Sequence, residues 1–487
     1  MNMTESSAQA TTQAQAQGGW FALGGGVIGV ALLWTVRAFI PDAAWINVRY
    51  AEHLAAGLGP VWNAGGPAVE GFAAPLLVIG EAALRAVGLD PLVGARLAGV
   101  LSLLATVGMV WRQGRALFGP LSAGIGAFLV GSTPALALWG ASGLETLPLT
   151  LLHTAILLDA ARDDGGSPRR AGWMLALVPW LRPEGTLIAA LLGTLVVFAA
   201  PTPRLRALPV FGPVFLSIFA LAVLRFAVFG HLLPTSVGFR FGSDEPGETV
   251  RDILERVGPL LPFAVLAVAR APRPAGRLAI AVLAASALSL VSMDHLTDFG
   301  RHLLPVWPLA CLLAGAGVVT LGGRSPVGAV VAAAGLTLGL AVLKTPHTAT
   351  QTVAAFADRY QECKAEVRVQ AAAYLRSELA PGETYGAVDA GLLSVQTGGA
   401  NLDLMGHNDP NFYETSGLSF RERAPVILAS PPDWLLLRSD SVSGIFKPRY
   451  SIEIELEKLP AFEATYMHVN TISIPDCDYV LWVFWRP

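Results

Sequence analysis

Charge is what this chain has least of. Asp, Glu, Lys and Arg together make up 14% of its 487 residues, well under the roughly 25% of soluble domains, so water is not its main solvent. The formal net charge is −3, and there is no run of Lys or Arg and no basic stretch interleaved with aromatics. Nucleic acid is therefore excluded as a partner. Several catalytic signatures are absent as well. The sequence has no GxxxxGK[ST] loop for nucleotide phosphates, no HExxH, no paired CxxC and no GxSxG elbow, which leaves the chemistries built on them without a candidate site. Cysteine is scarce: Cys311 falls in an apolar run, whereas Cys363 and Cys477 fall in the polar C-terminal part. Those two are open to two readings, a disulfide in an oxidising compartment or two unrelated buried thiols.

What fills the sequence is apolar. Hydrophobic residues reach 53% and the mean hydropathy is +0.54. Up to residue 345 the chain reads as apolar blocks broken by short polar joints, and 346–487 reads as an ordinary globular sequence, so a domain boundary is expected there. A bilayer span needs about 20 largely apolar residues. Windows of that kind lie near 19–41, 92–111, 119–139, 145–161, 208–229, 257–271, 277–293, 303–322 and 325–344. Residues 171–200 add one short span in and another out, because the charges of Arg182-Pro183-Glu184-Gly185 would be costly at mid-bilayer. Residues 72–89 are short and carry Glu81 and Arg85, which suits a helix lying at the interface. The total is about eleven crossings.

Residues 1–18 are polar, low in complexity and nearly uncharged, the composition of a disordered tail. No cationic segment precedes Gly19–Ile40, so this run reads as an uncleaved first helix rather than a signal peptide. Placing the N-terminus inside gathers Arg112, Arg115, Arg169, Arg170, Arg204 and Arg273 in cytoplasmic joints, as the positive-inside rule requires. An odd number of crossings then puts 346–487 outside a bacterial inner membrane. The expected architecture is a multi-spanning α-helical membrane protein. It has a cytoplasmic tail over 1–18, a transmembrane domain over 19–345 with a first outer loop at 42–91, and a soluble C-terminal α/β domain over 346–487.

This layout sends the unusual polar residues to one side. They are Asp42, Arg49, His53 and Glu70 in the first outer loop, then Glu145, Arg182, Glu184, His231, Arg240, Asp294, Arg301 and His302 in later outer joints. Ionisable groups at membrane depth are costly and tend to be functional. Plainer readings stay open beside this one: Arg49 and His53 on the wet face of an amphipathic helix, Arg182 and Glu184 as a helix-end ion pair, Arg301 and His302 snorkelling to the interface. Asp42 directly follows Pro41 and has no evident structural duty. The run GGGVIG (24–29) suits close helix packing, not a phosphate cradle.

In order along the chain, these segments resemble the GT-C fold glycosyltransferases that use polyprenyl-phosphate sugars, most of all the terminal β-arabinofuranosyltransferases of actinobacterial cell walls and their bacterial relatives. The resemblance rests on DAAWINVRYAEHLAAGLGPVWNAGGPAVEGFAAPL (42–76), ASGLET (141–146), RPEG (182–185), FGHLLPTS (229–236), MDHLTDFGRHLLPVWPL (293–309) and DLMGHNDP (403–410). It implies transfer of a sugar, arabinofuranose in the nearest family, from a polyprenyl-phosphate donor to a cell-envelope glycan acceptor, with inversion. Asp42 is then the expected base and Glu145 its catalytic neighbour. Arg182, Arg240, Arg301 and His302 are expected at the donor phosphate, and Arg49, His53, Glu70, Glu184, His231 and Asp294 at the substrates. A divalent cation held by Asp42 with Glu145 or Asp294 would suit those acids, but no ligand spacing demands one and metal is left open. A lipid-linked saccharide transporter and a non-catalytic scaffold are the alternatives; charges gathered at helix ends on one side favour neither.

Within 346–487 the stretch TVAAFADRYQECKAEVRVQAAAYLRSEL predicts a long helix. TYGAVDA, DWLLLRS, YSIEIELE, TYMHVNTISI and DYVLWVFW predict strands. Asp389 and DLMGHND are open to acceptor binding or to plain loop structure.

Overall fold

The structure, a computed structural model, describes residues 3–199, 202–235, 258–291, 301–322, 353–411 and 418–487. The chain divides into two compact units. One draws on Met1–Arg37, Ala95–Ala222 and Arg240–Ala354, the other on Ala38–Gly94, Val223–Phe239 and Ala355–Pro487. This division is not the linear cut expected at 345. The first outer loop belongs with the C-terminal residues, because Arg49, Trp62 and Asn63 hydrogen-bond to Ser394, Gly399 and Asn401, and Tyr50, Trp62, Val69, Phe72 and Val78 share an apolar cluster with Ala390.

The first unit is helical. Its first helix runs Met3–Thr35, so the segment expected to be a disordered tail is helical from Met3 onward; its Ala and Gln content favours helix. Helices Pro120–Gly131, Pro134–Ala141 and Pro168–Leu175 each open on proline, whose fixed φ suits a first turn that has no use for its N–H. A Cβ on Gly131 would overlap the backbone of Gly25, and one on Gly25 would overlap Phe128 and Ala127. The glycine-rich run therefore lets two helices touch backbone to backbone.

Among the described residues four helices are long and apolar enough to cross a membrane: Thr12–Thr35, Pro91–Phe118, Pro203–Phe229 and Leu304–Leu321. The pair Pro120–Gly131 and Pro134–Ala141, bent by 55°, would make a fifth. Thr146–Ala160, Gly185–Phe198 and Leu261–Arg270 are shorter apolar helices that fall on further expected windows, and the window at 325–344 lies outside the described residues.

The second unit carries a five-stranded mixed sheet in the order β2-β1-β3-β5-β4. The strands are β1 Thr384–Ala387, β2 Ala400–Asp403, β3 Trp434–Ser439, β4 Met467–Ile472 and β5 Val480–Trp485. β1 runs parallel to β2 and β3, and β5 antiparallel to β3 and β4. Both faces are covered, which is why WLLL and VLWVFW are continuous apolar runs rather than alternating ones. Leu436, Leu481 and Val483 pack with Val367, Ala371 and Leu375 on one face, while Leu435, Leu437 and Phe484 pack with Ile452 and Leu456 on the other.

Two expectations for this unit change. SIEIELE forms the helix Ser451–Glu457, not a strand. Ile452 and Leu456 stand one turn apart and are both buried, and Glu453 turns back to accept N–H bonds from Arg438, Arg449 and Tyr450, so the capping carboxylate decides the conformation. Strand β2 (ANLD) has little strand propensity and was not expected. The predicted long helix appears as Val353–Arg359 and Glu366–Glu378 joined by a π-helical stretch, Tyr360–Ala365. Cys363 in that stretch is bonded to Cys477, 114 residues away, with Cα atoms 5.3 Å apart.

Candidate functional site

Three of the sequence segments meet in the first unit. Glu145 stands at the N-terminal boundary of the helix Thr146–Ala160, after a turn in which Gly143 takes φ 81°. Arg182 and Glu184 lie between the 3-10 turn Val178–Trp180 and the helix Gly185–Phe198. Arg301 and His302 lead into the 3-10 turn Leu304–Val306 and the helix Trp307–Leu321. Glu145 and Glu184 thus stand at helix N-caps, where unpaired N–H groups give a partial positive charge, and Arg182, Arg301 and His302 lie in the turns that lead into helices.

The side chains form one hydrogen-bonded cluster. Arg182 Nε and Arg301 Nη2 both donate to Oε1 of Glu145, at 3.2 and 2.7 Å. Arg182 Nη1 reaches Glu184 Oε1 at 3.3 Å and His302 Nδ1 at 2.8 Å. Arg301 Nε donates to Thr146 Oγ1 at 3.1 Å, and its guanidinium lies 4.9 Å from the Trp139 ring centre. Glu145 and Arg182 are almost fully buried. Among the described residues, Arg182 Nη2 is buried without a hydrogen-bond partner. A buried, unmet guanidinium N–H costs free energy on the order of 1–3 kcal/mol, which an anion placed there would recover. Two turns along the same helix, buried His153 has neither ring nitrogen hydrogen-bonded. Sequence reasoning passed over it, although a lone His inside LPLTLLHTAILL was the available signal.

A second group of segments meets in the second unit. Asp42 opens the helix Asp42–Ala55, and its carboxylate accepts N–H bonds from Gly391 at 2.7 Å and Leu392 at 2.9 Å. Arg368 lies 3.8 Å from it. Burial pushes Asp42 above the ordinary carboxylate value; Arg368 opposes that shift and the nearby Asp389 charge adds to it. Glu70 makes a buried, two-pronged pair with Arg225, and burial raises its carboxyl despite that partner. Thr235 of FGHLLPTS donates to the carbonyls of Glu70 and His407, and Tyr50 donates to Asn408. Parts of the first loop, FGHLLPTS and DLMGHNDP therefore come together.

The expected site residues thus fall into two groups. Glu145, Arg182, Glu184, Arg301 and His302 join in the first unit. Asp42, Arg49, His53, Glu70 and His231 lie in the second. There the Arg49 guanidinium donates to the carbonyls of Trp62, Ser394 and Gly399 and to Asn63, which makes it a tie within the fold. His53 Nδ1 lies 2.8 Å from the Val61 carbonyl, and His231 is exposed just beyond the helix Pro203–Phe229. Arg240 and Asp294 lie outside the described residues. Among the described residues, the one group of metal-ligand type is Cys363, Cys477 and Asp478, whose two sulfurs are bonded to each other.

No protein-family model matches the sequence, and no curated protein does. Solved structures do match in fold. ArnT from Cupriavidus metallidurans bound to undecaprenyl phosphate shares 14% identity over 96% of this chain and 98% of its own, with a TM-score of 0.59. The oligosaccharyltransferase of Archaeoglobus fulgidus in its apo form shares 13% over 94% of this chain and 75% of its own, at 0.56. The fold is GT-C, that of a multi-span membrane protein with a C-terminal sheet domain.

Proposed function

We propose that this GT-C chain is a membrane glycosyltransferase that moves a sugar from a polyprenyl-phosphate donor to a hydroxyl of a cell-envelope glycan on the outer side of a bacterial inner membrane. The observation that carries the reading is the cluster of Arg182, Arg301 and His302 around buried Glu145, with Arg182 Nη2 buried and lacking a hydrogen-bond partner among the described residues. Guanidinium forks and helix N-termini both suit phosphate oxygens. ArnT, alike in fold, is a protein seen with undecaprenyl phosphate.

In this reading the phosphate engages Arg182 and Arg301, and Glu145 holds the two guanidinium groups in place. The first isoprene units of the prenyl tail take the apolar groove of about 230 Å³ lined by Leu260, Leu261, Val265, Leu283, Ala310 and Leu313. Ala310 and Leu313 belong to the helix whose approach carries Arg301 and His302, so headgroup and tail sites share an element. Asp42 is the base. The acceptor oxygen forms a bond to the anomeric carbon and gives its proton to Asp42, while the bond from that carbon to the phosphate oxygen breaks and the polyprenyl phosphate leaves with the electron pair. Attack opposite the leaving group inverts the centre. Arabinofuranose is the sugar we propose first, on the family resemblance of the segments above.

Purified protein incubated with labelled polyprenyl-phosphate arabinofuranose and an envelope glycan tests this. Labelled glycan is the expected product. Transfer absent with arabinofuranose but present with another polyprenyl-phosphate sugar would correct the donor, and absence with all of them would overturn the reading.

A further inference from the structure

In the second unit Asp42 belongs to a buried polar cluster whose other members the proposed reaction does not use directly. Arg368, on the helix Glu366–Glu378, has a side chain only 4% exposed and stands between two carboxylates. Its Nη2 lies 3.0 Å from Asp389 Oδ2, and its Nη1 lies 3.8 Å from Asp42 Oδ1. Nε donates to the Tyr479 hydroxyl at 3.2 Å and Nη1 to the Tyr360 hydroxyl at 3.1 Å, so the fork is held from several sides. Asp389 also accepts from Tyr479 at 2.5 Å and Tyr450 at 3.4 Å.

Asp42 is placed by backbone. It accepts the N–H groups that open the helix Ala390–Thr397, and its own N–H donates to Tyr360 at 3.1 Å. A Cβ on Gly391 would overlap the Asp42 carbonyl and meet its carboxylate, so glycine is needed there for the approach. The segments bearing Tyr360, Arg368 and Tyr479 are the ones stapled by the Cys363–Cys477 bond, and π-helical stretches such as Tyr360–Ala365 recur at functional sites.

We propose that Arg368 and Asp389 are positioning residues for Asp42: one guanidinium shared unequally by two carboxylates holds Asp389 as the permanent anion and leaves Asp42 as the member of the pair that gains and loses a proton. This deepens the glycosyltransferase reading and rests on it for the identity of the reaction. Two carboxylates that share a site do not ionise equally, and the one with more donors keeps the charge. Asp389 has that advantage. Burial would raise it, but Arg368 and Tyr479 outweigh burial and hold it below the ordinary value, while Asp42 is raised. The charged and titratable groups around the pair are Arg368, Tyr360, Tyr385, Tyr450, Tyr479, Lys364, Arg438 and Glu453.

The test reads Asp42 itself. In the intact protein, labelling of Asp42 by a hydrophobic carbodiimide, which attacks the protonated acid, is followed against pH by peptide mass spectrometry beside the pH profile of kcat/KM for sugar transfer. In Asp389→Asn the repulsion is gone and Arg368 serves Asp42 alone, so the labelling midpoint and the acidic limb of the profile should both fall by about one pH unit or more. Tyr479→Phe, a milder change that removes one donor from Asp389, should shift both in the same direction by less. Midpoints unchanged in both variants, with melting temperatures close to the parent's, would overturn the proposal, because a purely structural cluster alters stability and not the proton affinity of Asp42. If the parent protein transfers no sugar at all, the glycosyltransferase reading fails while the labelling midpoint still decides this one.

Discussion

The two polar clusters are built in opposite senses. In the first unit two arginines share one carboxylate oxygen of Glu145, and a buried donor is left without a partner. In the second unit two carboxylates share one arginine, with tyrosine hydroxyls and backbone N–H groups around them. The first leaves one buried Arg182 donor without a partner among the described residues, a place an anion would suit. The second has negative charge to spare, and a proton completes it. Removing one partner of a buried ion pair typically costs about 3–5 kcal/mol, so a single substitution in either cluster is expected to be costly.

The contrast can be broken from either side. Asp42→Asn removes the proton acceptor and should lower kcat roughly 10³-fold with little change in donor binding, since a positioned base contributes about 10²–10⁴-fold; steady-state transfer kinetics check it. Arg182→Lys keeps a charge but loses the fork, and should weaken donor binding about tenfold while leaving the pH profile of kcat in place. The matching change in the second unit, Cys363→Ser with Cys477→Ser, should cost up to about 5 kcal/mol of that unit's stability, as expected for a closed loop of this length, read as a lower melting temperature under non-reducing conditions. The smallest effect concerns Glu453, pushed up to about 8 by burial even though backbone N–H bonds oppose it. Its folded value lies above its ordinary one, so the stability it contributes is present at low pH and is lost as pH rises through about 8. The melting temperature should therefore fall between pH 5 and 9 by more in the parent than in Glu453→Gln.

How much of this was legible in the sequence differs between the clusters. ASGLET, RPEG and GRHLLP each set a charge beside an apolar block, so Glu145, Arg182 and Arg301 could be expected on one side, and the family resemblance suggested a common task. Partner choice could not. Arg225 was hidden in an apolar run, and nothing local says that it pairs with Glu70, 155 residues earlier. Nothing local singles out Arg368 in its predicted helix, and only the packing of that helix against the start of Ala390–Thr397 sets it between Asp42 and Asp389. SIEIELE misled because strict alternation over a short stretch fits a strand, while the deciding feature, a buried Glu453 accepting backbone N–H bonds, is tertiary. The compact units differ from the linear cut expected at 345 for a similar reason: nothing local says that Arg49 and Trp62 pair with Ser394 and Asn401.

The central claim is that the first-unit cluster takes a lipid phosphate. Titration of purified full-length protein with undecaprenyl phosphate, compared with the uncharged alcohol of the same chain length, tests it most directly. The expected result is saturable binding of the phosphate, much weaker binding of the alcohol, and a preference reduced about tenfold in Arg182→Lys and likewise reduced in Arg301→Lys. Equal binding of phosphate and alcohol, or a preference left intact in both variants, would contradict it.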